Sequence, residues 1–353
     1  MSDPLRTDPA RALDGAPEPG RDAKIEQLLL LGLDHYFAAE YEQAVNVWTR
    51  VAFLEPKLFV ADPASMGRHW GLEEALAYTR WLATHHYENF HVVSFLLPKR
   101  LHQDFYNVYS FCRWADDLGD EIGDTAESLR LLDWWGGETA RLYERGEAVH
   151  PVMVALAGTI RKHDLPREPF DDLIHAFVQD QTTLRYETLA DLYGYCRYSA
   201  NPVGRLVLYL CGYRDPERQR MSDATCTALQ LANFWQDVSV DLEKGRIYLP
   251  LELLRRHGGS EEDVVARRFT PGFRAAMAEA VIEARRLFAV GLPLARKVDR
   301  RLSLDLELFN RGGMKILDKV EALGYDVLSQ RPAISKAERA GVLVSSLVRW
   351  AFA

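Results

Sequence analysis

Apolar residues recur along most of this chain at intervals of three and four, the spacing that gathers them on one face of an α-helix. The pattern predicts helices over Leu72–Thr84, Leu101–Leu118, Glu127–Tyr143, Val152–His163, Phe170–Tyr186, Val203–Cys211, Ala224–Leu242, Phe273–Lys297, Leu302–Leu323 and Ala337–Phe352. Pro, Gly and Asp clusters punctuate them, as helix ends require. Strict apolar–polar alternation, the mark of a half-buried strand, is almost absent. The breaks fall between helices, with no domain-like linker, so residues 70–353 are predicted to form one all-α bundle.

The N-terminal part reads differently. Residues 1–22 are rich in Pro, Gly, Asp and Arg and are expected to be a disordered leader. Residues 23–57 regain helical periodicity through Leu28, Leu31, Tyr41, Ala44, Val45, Trp48, Val51 and Leu54, closed by Pro56. Gly32, Ala44, Trp48 and Pro56 fall near the positions where a tetratricopeptide repeat places its Gly, Ala, large apolar residue and Pro. A single repeat cannot bury its own face. This helical hairpin is therefore expected either to dock on the main domain or to bind a partner.

Composition narrows the function. Hydrophobic residues make up 48% and charged residues 27%, an ordinary globular mix. The 43 Lys and Arg against 51 Asp and Glu give a net charge of −8, which argues against nucleic-acid binding through a basic surface. Cys112, Cys196, Cys211 and Cys226 form no CxxC pair, as expected of reduced thiols in a cytoplasmic protein. Residues 1–21 lack a secretory apolar core, and no segment reaches the ~20 apolar residues of a membrane span. The expectation is a cytoplasmic protein, soluble or peripheral on a membrane.

Two acidic clusters carry the candidate chemistry. On a helix, Asp116 and Asp120 face the same way, and Asp117 and Glu121 make a second pair beside them. Further on, Asn233, Asp237 and Asp241 recur every fourth residue and form one polar stripe, with Gln230 one turn earlier. Between them Leu231, Phe234, Trp235 and Val238 are apolar, so the stripe is expected to face a cavity. Like charges so close repel, and hard cations such as Mg²⁺ suit carboxylate oxygens. Two such stripes in one bundle could hold several Mg²⁺ ions against a diphosphate, neutralising it as a leaving group. Aromatic side chains could line the remainder and shield a carbocation. A rival reading starts from Glu88 and His91, the Glu-x-x-His of carboxylate-bridged di-iron bundles. It needs a second such pair, and Asp172–His175 is only an approximation.

From about Glu88 to Arg339 the residues resemble the squalene/phytoene synthases, which join isoprenyl diphosphates head to head. The run Asn233, Asp237, Asp241, Arg246, Ile247, Tyr248, Pro250 looks like that family's second aspartate-rich motif. Tyr109, Arg113, Asp116, Asp117 and Asp120 look like the first. Tyr195, Asn201–Gly204, Ile316–Val320 with Tyr325–Val327, and Arg331 match further family segments.

The resemblance implies an isoprenoid synthase-type helical bundle with a central cavity. It implies Mg²⁺ on Asp116, Asp120, Asn233, Asp237 and Asp241, with Asp117 and Glu121 as further candidates. Arg113, Arg246, Arg331 and Gln230 would meet diphosphate. Tyr109, Tyr195 and Tyr248 would shield cations or orient diphosphate, and Phe90 would line the pocket. Tyr195, Tyr248 and Arg113 are the catalytic candidates.

Glu88–Val92 and Gln236–Asp241 look most like the branch of hydroxysqualene synthases. These ionise presqualene diphosphate, rearrange the cation and capture it with water. A sister synthase makes their substrate and a flavoprotein reduces their product. The greasy substrate implies peripheral contact with the inner face of the membrane. Condensation of two farnesyl or geranylgeranyl diphosphates is the neighbouring alternative; a terpene cyclase, a head-to-tail elongase and a non-catalytic scaffold are more distant ones. Three positions depart from the family: Glu88-Asn89, where a basic or small residue is common; Ala200-Asn201-Pro202 in place of Val-Ala-Gly; and Gly313 in place of a tyrosine. No dinucleotide fingerprint is present, so NADPH is not expected.

Overall fold

The computed structural model describes Leu30, residues 56–61, residues 63–85 and residues 98–352. The expected leader, nearly all of the hairpin, and Glu88–Val92 with Phe90 lie outside the described residues. The chain divides into two compact units, Met1–Gly67 and Arg68–Ala353. In the first, α1 (Pro56–Val60) packs on α2 (Pro63–Met66).

The second unit is all-α. Its first half comprises α3 (Leu72–His85), α4 (Lys99–Asp120), α5 (Thr125–Arg145), α6 (Pro151–His163), α7 (Glu168–Asp180), α8 (Leu189–Ser199) and α9 (Asn201–Leu210). Its second half comprises α10 (Pro216–Asp241), α11 (Leu251–Arg256), α12 (Glu261–Val265), α13 (Pro271–Gly291), α14 (Arg300–Ala322) and α15 (Lys336–Phe352). The longest helix, α10, is central and packs on α9, α13 and α14. Among the described residues no helix is long and apolar enough to cross a membrane.

The long predicted helices are present, but their ends and the short elements differ. Helix α10 starts before Ala224, because the Asp215 side chain accepts from Arg218 N and Pro216 sits in the first turn, where its missing N–H costs nothing. Helix α8, absent from the apolar pattern, is set by local chemistry: Thr188 and Asp191 form a reciprocal capping box. The predicted Phe170–Tyr186 helix stops at Asp180. Beyond it the chain turns, with Thr182 N and Thr183 N both donating to Gln179 O, and residues 184–187 then run beside 247–252. Ile247 N donates to Leu184 O and Leu251 N to Tyr186 O, both at 3.0 Å. This pairing, with a single parallel bridge between Arg185 and Ile247, brings Asp180 and Tyr186 beside Arg246 and Tyr248.

The core of the first half is aromatic. Trp114 stacks on Trp135 at 5.3 Å, with the His150 ring edge-on at 4.2 Å. Trp114 Nε1 also donates to Tyr78 OH at 3.0 Å, tying α4 to α3. Trp114 precedes Asp116 and Asp117 by two and three residues on α4.

Asp305 on α14 is 1% exposed, and neither of its carboxylate oxygens accepts a hydrogen bond among the described residues. Burial, with Asp299 adding to it, lifts its pKa to about 8. A carboxyl raised on folding contributes full stability below its unfolded pKa and loses it as pH rises through the folded value. Asp305→Asn is therefore expected to stabilise relative to the parent as pH rises from about 4 to 8, by roughly 1–3 kcal/mol at the upper end. Urea denaturation of both proteins across that range checks this; a pH-independent difference would contradict it.

Candidate active site

The site is built where the C-terminal ends of α4 and α10 meet the segment after α10. On α4, Arg113 forms an ion pair with buried Asp117 and reaches Asp116 at 3.5 Å. Burial raises the pKa of Asp116, with Arg113 opposing and Asp120 adding to it. Burial lifts Asp117 to about 7 against the pull of Arg113. Asp120 moves the other way. Burial pushes it up, but hydrogen bonds from Lys244 and Arg246 outweigh this and hold it low. Lys244 Nζ lies 2.8 Å from Asp120 Oδ2, and Arg246 Nη2 3.1 Å from Oδ1. Thus the cations that follow the second stripe grip the last aspartate of the first.

On α10, Arg331 Nε donates to Asp237 Oδ1 at 2.6 Å and Nη2 to Oδ2 at 3.3 Å. Gln236 steadies this pair, donating to Pro332 O at 2.7 Å. Asp241 is lifted to about 7 by burial and by repulsion from Asp237, while Arg246, Lys244 and Arg331 oppose. Asn233 is exposed one turn before Asp237, and Gln230 is half-buried one turn earlier. Glu121 is exposed, one residue past the end of α4. Tyr109 sits half-buried on α4, its pKa lifted to about 12 by burial.

A wall of stacked rings adjoins the charged groups. Phe234 and Tyr248 stack at 3.7 Å and 9°. Tyr186 stacks on the same Tyr248 ring at 5.8 Å, and Tyr195 completes the group at 5.5 Å from Tyr186. Such ring faces attract a cation. Behind the wall is a residue that spacing did not single out. Asp180, at the end of α7, is buried and accepts from Tyr195 OH at 2.8 Å. It has no spacing partner in the sequence; only the pairing of 184–187 with 247–252 brings it to the site. Lys244 lies three residues after Asp241 in the sequence, but only the fold brings it to Asp120.

Among the described residues, no three His, Cys, Asp or Glu side chains close on one point that could hold a metal ion. The oxygen donors instead fit ions that take one or two carboxylates each and fill their shell from phosphate and water, as Mg²⁺ does. Asp116 and Asp241, whose burial and acidic neighbours disfavour their charged forms, are where such a cation would be felt most.

Residues 83–338 match the family model for squalene/phytoene synthase. The chain belongs to the squalene/phytoene synthase family. Over 282 residues it is 36% identical to the phytoene synthase of Thermus thermophilus, covering 80% of this chain and 93% of that one. Over 276 residues it is 33% identical to the hydroxysqualene synthase of Rhodopseudomonas palustris, covering 76% and 92%. The crystal structure of squalene synthase HpnC from Alicyclobacillus acidocaldarius superposes with a TM-score of 0.69 at 47% identity, covering 72% of this chain and 95% of that one.

Two departures from the squalene/phytoene synthase pattern have local explanations. Gly313 on α14 faces Phe288 of α13: a Cβ there would run into the Phe288 ring and Leu229. A side chain at this position would need both neighbours to move. Buried Asn201 accepts from Thr227 Oγ1 at 2.9 Å, which ties the α8–α9 junction to α10.

Proposed function

We propose that this squalene/phytoene synthase family member ionises presqualene diphosphate, lets the cation rearrange, and captures it with water to give hydroxysqualene. The observation that carries the reading is the convergence of two carboxylate stripes and the cations Arg113, Lys244, Arg246 and Arg331 beside the Tyr186–Tyr195–Phe234–Tyr248 wall. Asp116, Asp120, Asp237, Asp241 and Asn233, with Asp117 nearby, would hold Mg²⁺, several ions in all. Bound there, the ions would neutralise diphosphate as it leaves. Arg246 and Lys244 are positioned to take diphosphate oxygens, and the ring wall to shield the cation and exclude water until capture. The Glu88–Val92 and Gln236–Asp241 resemblance and the 33% identity to the hydroxysqualene synthase of Rhodopseudomonas palustris support this branch. The 36% identity to a phytoene synthase supports a second reading, head-to-head condensation of isoprenyl diphosphates. NADPH has no part in either half of the reading. The first reading also includes a sister synthase supplying the substrate, a flavoprotein reducing the product, and peripheral contact with the cytoplasmic face of a membrane.

Purified protein is to be incubated with Mg²⁺ and presqualene diphosphate, and separately with farnesyl and geranylgeranyl diphosphates, with products identified by mass spectrometry. Hydroxysqualene from presqualene diphosphate alone is the expected result. Products from the other substrates would favour the condensing reading. EDTA should abolish turnover and added Mg²⁺ restore it; turnover indifferent to EDTA would remove the metal from the reading.

A further inference from the structure

We propose that Tyr195 and Asp180 form the proton relay that ends the reaction, with Asp180 as the terminal acceptor. This rests on the functional reading above but holds for either substrate, because water capture and elimination each release one proton. In water capture, an oxygen lone pair forms the new C–O bond. The O–H bond then breaks, and its electron pair stays on that oxygen. The proton passes to the Tyr195 oxygen as the tyrosine's own proton moves to Asp180 Oδ2. In the eliminating alternative, a C–H pair becomes the new C=C bond and the proton follows the same path.

Geometry carries the inference. The Tyr195 hydroxyl already donates to Asp180 Oδ2 at 2.8 Å, so the second half of the relay is a formed hydrogen bond. Asp180 is 8% exposed, and its Oδ1 accepts no hydrogen bond among the described residues. A buried carboxylate oxygen left unpaired is costly and calls for a reason. Tyr195 belongs to the ring wall, against which the cation would lie. The same tyrosine also lines a cleft of about 510 Å³ with Gln179, Tyr186, Glu187 and Gly194. The relay therefore lies between the wall and an opening from which water can enter and the proton can leave.

The charge environment suits an acceptor. The groups facing Asp180 are Tyr195 on α8, Tyr186 after α7, Arg246 and Tyr248 after α10, and Asp116 and Asp120 on α4. Burial raises Asp180 to about 6, with Tyr195 and Arg246 opposing and the two aspartates adding to it. At neutral pH it is mostly ionised yet more basic than an ordinary carboxylate, as a general base should be. Burial and Asp180 together keep the Tyr195 hydroxyl protonated, so it passes a proton without being ionised itself. The competing acceptor is the released diphosphate.

The test compares the parent with Asp180→Asn, Asp180→Glu and Tyr195→Phe. Substrate consumption and product distribution are measured by mass spectrometry, and folding by circular dichroism and thermal melting. Asp180→Asn is expected to consume substrate within about tenfold of the parent. The parent's product should fall at least tenfold relative to shunt hydrocarbons and alcohols, with Asp180→Glu restoring most of it. In the parent, the share of normal product should drop below about pH 6, and this dependence should flatten in Asp180→Asn. An unchanged product ratio in folded Asp180→Asn would assign the proton to diphosphate and overturn the relay. So would a parallel loss of consumption and product that glutamate does not rescue, which marks a structural role. If Asp180→Asn does not fold, Tyr195→Phe decides: its ratio should shift in the same direction, and an unchanged ratio overturns the proposal. A parent protein inactive on every substrate would instead refute the functional reading.

Discussion

Asp237→Asn is expected to lower turnover by at least about 10²–10³-fold while the protein stays folded, the cost of losing one electrostatic stabiliser of a charged transition state. The substitution keeps the volume and leaves an oxygen that can still accept from Arg331, now 2.6 Å from Oδ1. Asp237 is half-buried at the end of α10, outside the apolar core, so its stability contribution is small. What disappears is one negative charge of the stripe. That charge attracts a cation, and its repulsion is the largest acidic influence on Asp241. The Asp241 pKa should therefore fall in the variant. Steady-state kinetics with a thermal melt checks the prediction; parent-like turnover from a folded variant would remove Asp237 from the metal-binding set.

Trp114→Ala is expected to cost roughly 3–5 kcal/mol of stability, the range for truncating a fully buried tryptophan. Trp114 is 0% exposed, stacks on Trp135, meets His150 edge-on and donates to Tyr78 OH. Its loss opens a cavity where three helices meet and removes the hydrogen bond it gives the Tyr78 hydroxyl. The urea midpoint should fall with little change in slope, as for a change in stability alone. Activity should be lost at lower temperature than in the parent, because Trp114 lies one turn from Asp117 on α4. A cost below about 1 kcal/mol would mean that α3, α4 and α5 repack around the gap.

The helices that bury a wide apolar stripe were legible from spacing, because a helix in a bundle must hide that stripe and its period records the need. Helices α8, α11 and α12 were not. They are short, and for α8 the capping box, not an apolar face, sets its start. The apolar count overshoots α7 by six residues, because Phe177, Val178 and Tyr186 continue it past Asp180, where the helix ends.

At the site, Asp116, Asp117 and Asp120 on one helix, and Asp237 and Asp241 on another, were readable because each set lies on a single element and its spacing fixes a shared face. The resemblance to the squalene/phytoene synthases was readable for the same reason, since its motifs are local runs. Contacts between elements had no such record. Lys244 and Arg246 meet Asp120 across more than 120 residues of chain, and Arg331 meets Asp237 across 94. Asp180 shares no helical face with any other site residue. It joins the site only because residues 184–187 pair with 247–252, which sets its carboxylate under Tyr195. Sequence by itself determined the all-α bundle and the two carboxylate stripes, because helical period and charge are local properties. The tertiary structure alone decided which cation answers which carboxylate and which buried acid stands behind the aromatic wall, because those pairings exist only where separate elements pack.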